Sequence, residues 1–125
     1  GEIIAGVRGD DHEKFPGTAQ IWQDMKGKVS PIPGANTTIG AVVCNAKLNK
    51  NQVTKVAQMA HNGMARVINP VHTMFDGDTI FALATGEKEA DVNVVGYMAQ
   101  EAVAEAIIRG VQKAVSVPGY KAAVN

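Results

Sequence analysis

Aromatic residues are scarce in this chain: three Phe, two Tyr and one Trp make up 5% of 125 residues. That leaves too few stacking platforms to track single-stranded nucleic acid or a carbohydrate chain. Cys44 is the sole cysteine, which excludes an intrachain disulfide. Lying inside an apolar stretch, it reads as core packing in a reducing compartment. No charge sign dominates, since twelve Lys and Arg balance twelve Asp and Glu. Without a basic run the chain lacks the electrostatic footprint of a nucleic-acid or anionic-membrane partner. No apolar run approaches the eighteen or so residues that span a bilayer, and no charged segment followed by an apolar one opens the chain. A soluble, cytoplasmic protein is expected. An initiator methionine is also missing: "GEIIAGVRG" starts as if at the end of a strand, the expected look of a piece of a longer chain. What is present suffices for one domain with a core, with 46% hydrophobic and 19% charged residues.

Along the chain, residues 2 to 5, "EIIA", suggest a short strand, and a polar loop containing a solvated His12 follows. Thr18 to about Lys26 predicts a short helix with Thr18 as cap, stopped by Gly27. "VSPIPGAN" then reads as an exposed, extended linker. Ile39 to Cys44 is a continuous apolar run of strand length, for which both faces are expected to be covered. Asn49 and Gln52 stand in capping-box spacing before Val53, Val56, Ala57, Ala60, Met64, Val67 and Ile68, which recur at helical period. This predicts a helix from about Lys50 to Ile68, ended by Asn69-Pro70. Thr79 to Thr85 is a second apolar strand. A long helix follows from Asp91 to about Ser116, with Val95, Met98, Ala102, Ala106 and Ile107 as the expected buried stripe. Gly63, Gly96 and Gly110 inside the two helices cost roughly 1 kcal/mol each relative to Ala, a cost that close helix packing would explain. Glu101, Glu105, Arg109 and Lys113 form a solvent-facing, i,i+4-paired surface with Arg66. Tyr97 and Trp22 read as core or interface anchors. The order strand, helix, strand, helix predicts a layered α/β sandwich.

Two stretches carry candidate chemistry. In "PGANTTIGAVV", residues 33 to 43, Asn36 suits a turn and β-branched Thr37 and Thr38 start a strand well. The sharper reading is that the Asn36–Thr37 bond is cut by the protein itself, leaving Thr37 as an N-terminal nucleophile. In "HTMFDGDTIF", Asp76 and Asp78 flank Gly77 just before a strand. Asp-Gly is a preferred turn dipeptide. The same two carboxylates, sent to one face by an extended backbone, could instead orient a nucleophile's hydroxyl and amine. His72 beside them raises a metal site, which the absence of paired-histidine spacing disfavours; His61 has no partner at i+4, and buried or turn-bonded histidines fit better. There is no glycine-rich phosphate loop and no G-x-S-x-G elbow, so no cofactor is expected.

"NTTIGAVVCNAKL", "KVAQMAHNGMARVINPVHTMFDGDTIFALATGE" and "ADVNVVG" resemble the C-terminal part of the P1 peptidase family, which includes L-aminopeptidase/D-esterases and nylon-oligomer hydrolases. The likeness runs essentially end to end. It implies an α/β (α+β) fold, here the C-terminal part of a four-layer αββα sandwich of the N-terminal-nucleophile type. Residues 1–36 would be the end of the family's N-terminal portion with its exposed linker, and 37–125 the nucleophile-bearing portion of the same domain. The resemblance makes Asn36 the residue before the self-cleavage point, Thr37 the nucleophile, and Asp76 and Asp78 its supporting pair. Thr followed by two Asp is the pattern of the nylon-oligomer branch, where aminopeptidase members tend to have Ser and an acidic residue. Implied partners are a small peptide, amide or 6-aminohexanoate oligomer substrate, the N-terminal portion of the same precursor, and further copies in a homo-oligomer. A lysine near the nucleophile and an oxyanion-pocket asparagine would come from that N-terminal portion, so this chain alone is expected to be nearly inactive. The rival expectation is a non-catalytic assembly fragment, because apolar strands and glycine-containing helices need partners for burial.

Overall fold

A computed structural model describes residues 2–8, 15–24 and 36–123. Its elements run α1 (Thr18–Asp24), β1 (Ile39–Ala46), α2 (Lys50–Val67), β2 (Thr79–Lys88) and α3 (Val92–Lys113). The two strands pair in parallel, Ile39 beside Thr79 through Cys44 beside Ala84, with an irregularity before Ala46 meets Lys88. A parallel pair needs a crossover rather than a hairpin, and α2 supplies it.

Helix α2 starts where its side chains cap it. Asn49 accepts from the Gln52 N–H at 3.0 Å while the Gln52 side chain accepts from the Asn49 N–H at 2.9 Å, the reciprocal box expected from the spacing. Asp91 caps α3 by accepting from the N–H groups of Asn93 and Val94. Val56, Ala60 and Met64 of α2 are buried with Ile80 and Ala99, and Val42, Val95, Val103 and Ile107 pack around them. The core therefore lies where α2 and α3 meet each other and one face of the sheet.

The helices approach closely because two glycines let them. A Cβ at Gly63 would collide with the backbone carbonyl of Gln100, and one at Gly96 with the side chain of Met59. Gly110 has open space around it, so packing does not explain that one. This close seam also corrects the expected stripe on α3. Val95 and Ile107 pack inward as expected, but Met98 is 63% exposed and Ala102 and Ala106 lie outward. The seam instead uses the small residues Gly96, Ala99 and Ala104, with Gly96 against Met59 and Ala104 against Gly63 of α2. Arg66 pairs with Glu101 across the two helices, and Glu105 with Arg109 along α3.

The strands are covered on one face only, contrary to expectation. Gly40, Val42, Cys44, Ile80, Ala82 and Ala84 face the helices, whereas Ile39, Val43, Phe81 and Leu83 are exposed on the other side. An unbroken apolar run does not say which chain segment, if any, lies on each face. "EIIA" forms no strand: residues 2–5 are irregular, and Ile3 and Ile4 are exposed. Thr18 is the first residue of α1 rather than its cap. Tyr97 is exposed and Trp22 half-buried. His12, the helix stop at Gly27 and the linker through Ala35 lie outside the described residues. Among the described residues no helix is long and apolar enough to cross a membrane.

Candidate active site

At the N-terminal mouth of the sheet the two candidate stretches run side by side. Asn36 forms a parallel bridge with Asp76. The Asn36 N–H donates to the Phe75 carbonyl at 3.1 Å, and the Gly77 N–H donates to the Asn36 carbonyl at 2.8 Å. One step on, the Thr79 N–H donates to the Thr38 carbonyl at 2.9 Å. Backbone pairing thus continues the ladder of β1 and β2 outward and fixes "NTT" against "DGD". The exposed Thr37 lies against Gly77, where a Cβ would stand 3.0 Å from the Thr37 hydroxyl oxygen. Any other residue at 77 would crowd that hydroxyl, so the glycine gives it room.

The two carboxylates do different work. Asp76 closes a local turn: its Oδ2 accepts from the Thr73 N–H at 2.8 Å and the Thr73 hydroxyl at 2.6 Å. This is the turn-capping role that an Asp-Gly sequence suggests. Asp78 instead reaches across to the other stretch. Its side chain is 5% exposed, its Oδ1 accepts from the Thr38 N–H at 3.0 Å, and its Oδ2 accepts from the His72 N–H at 3.3 Å and pairs with His72 Nδ1 at 2.8 Å. Among the described residues, neither carboxylate hydrogen-bonds the Thr37 hydroxyl. Burial acts on Asp78 most strongly and pushes its pKa up, yet the Thr38 N–H and the His72 ring and N–H together outweigh it. The carboxyl ends below its ordinary value, held ionised.

His72 extends the chain of contacts to α2. Its Nε2 lies 3.3 Å from His61 Nδ1, with the rings edge to face at 4.8 Å between centroids. Its backbone is left-handed, with φ of 54°, a conformation that costs a non-glycine residue roughly 1–2 kcal/mol. Burial, then the His72 charge, lower the His61 pKa against the opposing pull of Asp78. Taken singly in the sequence, the two histidines give no sign of the pair. They are eleven residues apart, outside any helical spacing, and only the turn after α2 returns His72 to the helix. Among the described residues no group of three or more His, Cys, Asp or Glu is disposed to hold a metal ion.

The family model described as peptidase family S58 matches residues 4–125. An uncharacterized aminopeptidase of Mycobacterium leprae is 39% identical over 128 residues, covering 90% of this chain and 33% of the relative. A Mycobacterium tuberculosis protein of the same description is 36% identical, covering 90% of this chain and 36% of its own length. A 6-aminohexanoate-oligomer endohydrolase of Agromyces is 43% identical over 61 residues, covering 48% of this chain and 17% of the relative. The chain spans about a third of the length of the aminopeptidases it matches.

Proposed function

Because the chain belongs to peptidase family S58, we propose that it is the nucleophile-bearing part of an amide hydrolase that first cuts itself between Asn36 and Thr37. The observation that carries this reading is the shared neighbour: Gly77 donates its N–H to the Asn36 carbonyl at 2.8 Å and leaves room for the Thr37 hydroxyl beside it. A carbonyl held by an N–H is polarised for attack, and the same donor stabilises the oxyanion that attack creates. Thr37 Oγ1 bonds to the Asn36 carbonyl carbon, the C–N bond breaks, and the hydroxyl proton passes to the departing Thr37 nitrogen. Water then hydrolyses the ester, giving an Asn36 carboxylate and a Thr37 with both hydroxyl and amine free. With an ordinary pKa of roughly 7.7–8.0, that amine is a competent base for its own hydroxyl. In each later turnover the hydroxyl forms an acyl-enzyme with a substrate amide, the amine product leaves, and water releases the acid.

Asp78 serves this site by holding the Thr38 N–H, which fixes the backbone next to the nucleophile. Asp76 serves it by closing the turn that carries Gly77. The names of the relatives support two substrate classes, peptides with a free N-terminus and 6-aminohexanoate oligomers. Thr followed by two Asp favours the second. The bare apolar face of β1 and β2 fits burial against the N-terminal portion of the same precursor, the inner contact of a four-layer sandwich. Homo-oligomer formation and a cytoplasmic location belong to the same reading.

The bare face also favours a second reading, a non-catalytic assembly portion. Thr37→Ala in the full-length protein separates the two. Loss of self-cleavage together with a fall of roughly 10⁴-fold or more in amide hydrolysis is expected of a nucleophile. Retained turnover in that variant removes Thr37 from the chemistry.

A further inference from the structure

We propose that His72 is a positioning residue for the reaction at Thr37, acting through Asp78, with His61 steadying its ring. This rests on the reading of Thr37 as the nucleophile. Among the described residues, Asp78 hydrogen-bonds the reactive stretch through the Thr38 N–H, so the place of that stretch depends on where the carboxylate is held. His72 holds it twice, by its backbone N–H and by its ring, both on Oδ2, leaving Oδ1 aimed at Thr38. With a proton on Nδ1, the ring donates to Asp78, and its Nε2 is left to accept from His61 Nδ1. A left-handed backbone at His72 is what brings both of its donors to one oxygen. Among the described residues, the charged and titratable groups facing Asp78 are His72 from the turn and, behind it, His61 from α2; Asp76 is turned to Thr73.

Without the His72 ring the carboxylate loses a donor, swings more freely and takes up a proton more readily, so the Thr38 anchor slackens at higher pH. The test follows precursor conversion in the full-length protein by intact mass, after shifts to pH values from about 3 to about 8. His72→Ala should slow self-cleavage roughly 10- to 100-fold, the range of one charge-assisted hydrogen bond, and move the acid limb of the rate profile to higher pH. His72→Asn keeps a side-chain N–H donor and tolerates the left-handed backbone, so it should recover most of the rate and return the acid limb. His61→Ala should lose less than His72→Ala. If His72→Ala does not fold, His72→Gly replaces it, since glycine accepts this backbone freely. A His72→Ala rate within about twofold of wild type overturns the proposal. So does a loss shared equally by the Asn variant with no movement of the acid limb, which assigns the effect to the fold. Thr37→Ala is the internal control: cleavage in that variant defeats the nucleophile reading itself, whatever His72 does.

Discussion

The two faces of the β1–β2 pair are built from the same kinds of residue and meet different fates. Toward the helices, Val42, Ile80 and Ala82 join a core in which Met64 is 1% exposed. On the opposite face Phe81 is 63% exposed, and Ile39, Val43 and Leu83 stand in the open with it. Composition alone does not distinguish them. The difference is that the crossover helix and α3 both fall on one side, as a β–α–β–α chain must place helices where its connections lead. One side is therefore finished by local sequence, and the other is left bare by the described residues. The candidate site sits at the mouth of the strands between these two faces. Its anchors, Asp78, His72 and His61, lead back to the helix side. The Thr37 end is exposed.

Truncating the finished face should give the largest effect. Met64→Ala removes a fully buried side chain from the seam of α2, α3 and the sheet and should cost about 2–5 kcal/mol by denaturant unfolding of the chain. A cost below about 1 kcal/mol would mean that the helix side is not a packed core.

Acid should separate the faces next. The bare face has no titrating group at residues 39, 41, 43, 79, 81 or 83, whereas the site side holds two groups with lowered pKa values. For His61, protons bind the unfolded chain more readily than the folded one, so stability is full above about pH 6.5 and falls as pH drops through the folded value. Asp78 contributes stability above its unfolded pKa of about 3.9, lost as pH falls through its lower folded value. Melting temperature should thus decline in two stages on acidification. His61→Gln should remove the first and Asp78→Asn the second, and unchanged profiles would contradict the assigned causes.

Within this chain, the smallest effect is expected on the bare face. Phe81→Ala should leave the stability of this 125-residue chain within about 0.5 kcal/mol. On the proposed burial of this face against the N-terminal portion, the same substitution in the full-length protein should cost about 3–5 kcal/mol. Equal, small costs in both would mean that nothing covers this face.

Much of the helix side was legible in the sequence because its signals are local. Asn49 and Gln52 announce their capping box within four residues, and Val56, Ala60 and Met64 announce a face by their period. The stripe on α3 was only half legible. Its long apolar residues outvote its small ones by hydropathy, whereas the structure packs the small ones inward where Gly63 permits close approach. At the site, the likeness of "NTT" and "DGD" to a known family pointed to these two stretches, and the strand order brings them together. The unlike roles of Asp76 and Asp78 were not legible, because identical side chains two residues apart differ only in what the fold sets beside them. The His61–His72 contact was invisible for the same reason.

The central claim is that Thr37 cuts the bond before it. Intact-mass measurement of the purified full-length protein tests this most directly. Two fragments are expected, one ending at Asn36 and the other beginning at Thr37, with a single uncut chain in Thr37→Ala. A full-length protein that stays uncut while hydrolysing amides would contradict it.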